Sequence, residues 1–92
     1  MYIRVLNIKF ASNIDAEAMT ALAKYEMINM LPGIISMEGV KITELHSIVI
    51  LKFNNKDFAE KAKELYLNKM KSNPNVKVEV FEGEQAFSVK KS

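Results

Sequence analysis

The sequence predicts an α+β fold of the ferredoxin-like type, βαββαβ, a four-stranded antiparallel sheet with two helices on one face. Three features point there. Four strand-like runs and two runs of helical spacing alternate in the order strand, helix, strand, strand, helix, strand. Each helical run is followed by a stop signal, Pro32-Gly33 after the first and Ser72-Asn73-Pro74-Asn75 after the second. The third strand-like run, Ser47-Ile48-Val49-Ile50-Leu51-Lys52-Phe53, is apolar on both parities, as a central strand should be.

Residues 2–10 alternate as a strand, with Ile3, Val5 and Asn7 on one parity and Leu6, Ile8 and Phe10 on the other. Residues 11–15 supply turn and cap chemistry, and Asn13 or Asp15 is the expected cap of a first helix over 15–31. That helix carries Met19, Leu22, Ala23, Met27, Met30 and Leu31 at steps of three, four and one. Residues 34–43 form a second strand, in which Gly39 marks a bulge or a close backbone approach. A polar turn over 44–46 leads into the third strand, and Asn54-Asn55 ends it. The second helix starts near Lys56 with Asp57 in its first turn, and Phe58, Ala59, Ala62, Leu65, Tyr66 and Met70 make its apolar stripe. Residues 76–82 alternate strictly, with Val76, Val78 and Val80 on one face, which suits an edge strand beside central strands one and three.

The chain is expected to be one domain over residues 1–92, with 84–92 a C-terminal tail or a short extra strand that reaches a partner. An apolar fraction of 49% and a charged fraction of 26% belong to a globular chain. There is no cysteine, so disulfides, thiolate metal sites and a cysteine nucleophile are excluded together. Net charge is +2 with signs interspersed, which makes no electrostatic case for nucleic acid or an anionic membrane. No run reaches the roughly 18 apolar residues of a membrane span, and residues 1–10 lack the order of a signal peptide. A cytoplasmic location is expected.

A fold of this type hosts many functions, so chemistry has to come from particular residues. RNA recognition on such a sheet needs aromatic rings on the central strands. Here Ile48 and Ile50 stand where rings would be required, and aliphatic chains do not stack bases. An apolar face without stacking rings is instead a protein interface. Its expected occupant is a second copy of the same sheet, held through Ile48 and Ile50 or through Val49 and Leu51, whichever parity faces outward.

Pro32-Gly33-Ile34 between helix and strand, and Lys52-Phe53-Asn54-Asn55 leading into Lys56-Asp57-Phe58-Ala59-Glu60-Lys61-Ala62, resemble the dimeric α/β barrel superfamily. Within it the chain is most similar to the antibiotic biosynthesis monooxygenase group, over residues 2–82. The resemblance implies two protomers whose sheets pack face to face as a dimeric α/β barrel, each with a pocket between its own sheet and helices. It implies a cofactor-independent monooxygenase acting on a small hydrophobic or aromatic molecule, in which the deprotonated substrate supplies the electrons. No cofactor or metal is expected. The alternative is a non-catalytic ligand-binding or assembly module of the same fold. A haem-degrading branch of the group uses an Asn on strand one with Trp and His on helix two. Asn7 matches the first, but the chain has no Trp and the second helix has no His.

Candidate catalytic residues are Asn7, which can orient a substrate oxygen, and His46, the only histidine, whose ordinary pKa of about 6.5 suits a general base. Tyr25, Met27 and Tyr66 are candidate substrate-binding residues, the tyrosines by their hydroxyls and the methionine by its adaptable thioether. For each a structural role is the simpler alternative: a backbone partner for Asn7, a solvated turn for His46, ordinary core for the rest. Arg4 and Lys9 are expected to pair with acidic groups such as Glu79 or Glu82.

Overall fold

A computed structural model describes all residues, 1–92. The strands are β1 (Tyr2–Phe10), β2 (Ile34–Thr43), β3 (His46–Phe53) and β4 (Val76–Glu84), with a first helix over 13–30 and a second over 56–72. The sheet order is β2-β3-β1-β4 and every pairing is antiparallel, so β1 and β3 are central and β4 is an edge, as expected from their apolar content. β3 begins one residue earlier than the sequence pattern suggests, which moves His46 out of the turn and into the strand. β4 runs through Gly83 to Glu84, and residues 85–92 carry no regular secondary structure. The chain leaves β4 on one further bond, from the Gln85 amide to the Met1 carbonyl at 2.8 Å.

Strand parity decides which face each side chain serves. On β1 the row Tyr2, Arg4, Leu6, Ile8 and Phe10 is buried throughout against the helices. Register sets Val49 and Val80 beside Leu6, and Leu51 and Glu82 beside Arg4, so these share the helix-covered face. The opposite row, Ile3, Val5, Asn7 and Lys9, lies beside Ile48, Ile50 and Phe81 on a face that no helix covers. Both greasy parities of the third strand are thereby assigned. Leu51 and Phe53 are in the core, and Ile48 and Ile50 are on the open face.

The first helix is capped by Ser12 rather than by Asn13 or Asp15. Its hydroxyl accepts from the Asp15 amide at 3.3 Å and donates to the Asp15 carboxylate at 2.7 Å. The hydroxyl, one residue upstream of Asn13, thus satisfies one free amide of the first turn. Asn55 caps the second helix in the same way, accepting from the Phe58 amide at 3.1 Å.

Each helix contains one π-helical turn, Ala23–Met27 in the first and Lys63–Leu67 in the second. A π-turn adds a residue to the repeat and rotates the following stripe. The second helix therefore buries Ala59, Ala62, Leu67 and Met70, while Leu65, expected in the core, is 45% exposed. In the first helix Met30, also expected in the core, turns outward. Leu31, just past the helix end, takes its place in the core.

Gly33 closes the first helix at φ 68°, a left-handed conformation that favours glycine. A Cβ there would fall on the ring of Phe58. The turn is thus fixed twice, by backbone conformation and by a side chain from the second helix. Gly39 is different: it pairs regularly with Val49, without a bulge, and a Cβ would meet nothing within 4 Å.

The two helices pack unequally on the sheet. Four residues of the second are buried but only Met27 among residues 13–30 of the first. The first helix stands off the β2-β3-β1 side of the sheet, and that separation makes the principal cavity.

Candidate functional site

The space between the first helix and the sheet is a cleft of about 890 Å³. Ligand pockets commonly span roughly 300–1,000 Å³, and this cleft falls within that range. Leu6, Ile8 and Phe10 of β1 and Val49 of β3 form its floor, with Met37 and Gly39 of β2 beside them. Ala16, Met19, Ala23 and Met27 form the helical wall, and Met70 joins from the second helix. Four thioethers thus line one cavity, giving it walls that adapt to the shape of an occupant. The polar groups that border it come from Asn13, Glu17, Thr20 and Lys24 on the helix and from Glu38, Lys41, Glu44 and Ser47 along β2 and around the β2–β3 turn. Lys41 pairs with Glu44 at 3.0 Å, but both side chains are more than 60% exposed, so the pair is weak and exchangeable.

The structure brings together some of the residues expected from sequence and separates others. Met27 lines the cleft, buried to 4% exposure, and Tyr25 borders it with its ring exposed and the Lys24 ammonium 5.7 Å from the ring centroid. Tyr66 does not line it. Its hydroxyl donates to the Glu26 carboxylate at 3.1 Å and ties the two π-turns together, and desolvation followed by that hydrogen bond raises the hydroxyl's pKa. Asn7 and His46 do meet, with His46 Nε2 2.5 Å from Asn7 Oδ1. Asn7 Nδ2 also donates to Glu79 at 3.3 Å. This trio spans β3, β1 and β4, but on the open face of the sheet, across from the cleft.

A second polar cluster is structural. Arg4, 2% exposed, donates from Nε and Nη2 to the two oxygens of Glu82, each at 3.1 Å, and from Nη1 to the Ala59 carbonyl at 2.8 Å. Its guanidinium lies 5.7 Å from the centroid of the Phe53 ring. Tyr2 adds a hydroxyl donor to Glu82 at 2.9 Å. The Arg4 hydrogen bonds hold the Glu82 carboxyl below its ordinary range, against the opposing effect of partial burial, with help from Tyr2. Burial and the bond to Glu82 in turn push the Tyr2 hydroxyl up. The expected Arg4–Glu82 pair is therefore present, whereas Lys9 makes no ion pair and Glu79 serves Asn7 instead.

Sequence reasoning does not find Gly39, Lys41 and Ser47 as lining residues. The alternation of β2, with Met37, Gly39 and Lys41 on one parity, is the available signal. Using it requires knowing that Gly39 lies opposite Val49, a fact of register.

The cleft offers a haem iron neither imidazole nor thiolate. No histidine or cysteine lines it, and the one histidine faces the other side of the sheet.

No protein-family model and no curated protein matches the chain. Solved structures do match it along its whole length. HapK from Hahella chejuensis superposes with a TM-score of 0.73 at 17% identity, covering 100% of this chain and 99% of that one. SnoaB, a cofactor-independent oxygenase from Streptomyces nogalater crystallised as a point mutant, gives 0.71 at 9% identity, covering 98% of each chain. The haem-degrader MhuD from Mycobacterium tuberculosis, with two haems bound, gives 0.66 at 12%, covering 98% of this chain and 100% of that one. The chain thus shares its ferredoxin-like fold with these proteins and with a putative antibiotic biosynthesis monooxygenase from Deinococcus radiodurans, which superposes with a TM-score of 0.73 at 11% identity. At these identities the likeness establishes the fold. No helix is long and apolar enough to cross a membrane.

Proposed function

We propose that this protein is monooxygenase-like in function as well as fold, binding a small hydrophobic, ring-bearing molecule in the cleft between the first helix and the sheet. The observation that carries this reading is the cleft itself, about 890 Å³ of space walled by aliphatic and thioether side chains in a chain of only 92 residues. Lys24, Lys41 and Ser47 on its lining can meet a phenolic or enolic oxygen while the rings lie among Met19, Met27 and Met37. Such a substrate, once deprotonated, carries the electrons for oxygen itself.

A homodimer accompanies this reading. Ile3, Val5, Ile48 and Ile50 form an apolar strip down the centre of the open face, and Val40 and Phe81 extend it, 47% and 58% exposed. A second copy of the sheet covers it without introducing a new surface of different chemistry.

The position of Asn7 and His46 favours a second reading, in which the cleft binds its molecule without transforming it. Neither residue lines the cleft, so neither is a base for a molecule held there. Oxygen uptake measured with a panel of dihydroxynaphthalenes and dihydroxyanthracenes separates the two. Uptake that depends on protein and is abolished by filling the cleft supports the oxygenase. Saturable binding with no uptake leaves the binding module, and neither binding nor uptake removes the cleft as a ligand site.

A further inference from the structure

We propose that Gly39 sets the size limit of the molecule the cleft accepts, because it leaves empty the place where a β2 side chain would close the space under the first helix. The proposal rests on the reading of the cleft as a ligand site and adds to it a residue that determines specificity.

Nothing in the backbone calls for glycine at this position. Gly33 is the only residue with positive φ, and Gly39 pairs regularly with Val49 in the middle of β2. No neighbour crowds it either, since a Cβ would meet no atom within 4 Å. A glycine inside a strand loses more chain entropy on folding than any other residue and packs nothing. Here that weakness has no structural return within the chain. Its effect is on volume.

The direction of the missing side chain is fixed by register. Val49 belongs to the row shared with Leu6, so a side chain at 39 would point toward the helices, between Met37 and Lys41 on the same strand. Gly39 itself lines the cleft. The helical wall of that cleft includes small side chains as well, Ala16, Thr20 and Ala23, at steps of four and three on one face. Four methionines, Met19, Met27, Met37 and Met70, also line it, and their side chains move aside more readily than branched residues. A backbone position that cannot adapt is therefore the natural place for a size limit.

The chemistry of the occupant follows from the charges. Lys24 and Lys41 border the cleft together with Glu17, Glu38 and Glu44, so both signs stand along the lining and no patch of one sign favours an anion or a cation. The molecule expected is a largely apolar ring system with few polar atoms.

Two fluorescent probes of different size test this, 1-aminonaphthalene with two fused rings and N-phenyl-1-naphthylamine with a third ring attached. Both are titrated into wild type and into Gly39→Ala, Gly39→Val and Gly39→Leu, with thermal unfolding and sedimentation velocity run on each protein. The dissociation constant of the larger probe is expected to rise along the series, by at least about tenfold in Gly39→Leu. That of the smaller probe changes little in Gly39→Ala and Gly39→Val, and unfolding midpoints stay level or rise. Equal affinity of wild type and Gly39→Leu for the larger probe overturns the proposal. So does parallel weakening of both probes through the whole series, which is loss of a site and not a size limit. A change in sedimentation with unchanged probe binding also overturns it, since the space then belongs to a second copy of the chain. Failure of wild type to bind either probe refutes instead the ligand-site reading on which the proposal rests.

Discussion

Replacing Glu82 by Gln removes one charge and keeps the shape of the side chain, which makes it a direct test of how the sheet is tied to the second helix. In wild type the Glu82 carboxylate receives two bonds from Arg4 and one from Tyr2, while Arg4 is 2% exposed. The variant leaves Arg4 buried with the Ala59 carbonyl, the Phe53 ring face and one amide oxygen, but no counter-charge. Stranding one member of a buried pair costs about 3–5 kcal/mol. Because the Glu82 side chain keeps 21% exposure, water relieves part of this, and about 2–3 kcal/mol is the expected loss. For a domain of this size 1 kcal/mol moves the midpoint by roughly 4–8 °C, so the thermal midpoint should fall by about 10–20 °C. Circular dichroism melts of wild type and Glu82→Gln at neutral pH measure it. Glu79→Gln is the comparison, since Glu79 has one 3.3 Å bond on the open face; it should stay within about 0.5 kcal/mol of wild type. The pH dependence adds a sign. Glu82 titrates below its ordinary value when folded, so its contribution is complete above the unfolded carboxylate pKa of about 4.3 and is lost as pH falls through the depressed folded value. The gap between wild type and Glu82→Gln should therefore narrow steadily as pH is lowered from about 5. A midpoint shift under about 3 °C at neutral pH, or a gap that widens in acid, would refute the account of this cluster.

Two further outcomes are expected. Gly33→Ala should lose about 2–4 kcal/mol in urea unfolding, because the new methyl must displace the Phe58 ring while the backbone stays at φ 68°; retention of wild-type stability would mean that the turn rebuilds freely. Ile50→Lys should leave a folded monomer in analytical ultracentrifugation at micromolar concentration, since an unpaired ammonium is costly to bury between two sheets, whereas Leu51→Lys, at a site 2% exposed in the chain's own core, should fail to fold. A wild type that is monomeric at those concentrations would end the dimer proposal.

Much of the fold is legible in the sequence because it depends on period and punctuation. Strand β4 alternates, Pro32-Gly33 ends a helix, and the run over 48–51 is too apolar for an edge. Less of the site is legible. Chemistry singles out Asn7 and His46, and the structure does join them, but whether they meet a ligand depends on which side of the sheet they occupy. A repeat of 3.6 residues assigns Leu65 and Met30 to the core, and a single π-turn in each helix carries them out of it.

The sequence by itself determined the order of elements, the central position of β1 and β3, and the presence of an apolar face that two helices cannot cover. These are set by local spacing, which each segment carries within its own residues. Only the tertiary structure decided which parity of β3 faces outward, how far the first helix stands from the sheet, and that Gly39 opens onto the resulting space. Those outcomes depend on register between strands and on π-turns in the helices. In both, a displacement of one residue exchanges the two faces of a strand or rotates a helical stripe, while the sequence pattern stays the same.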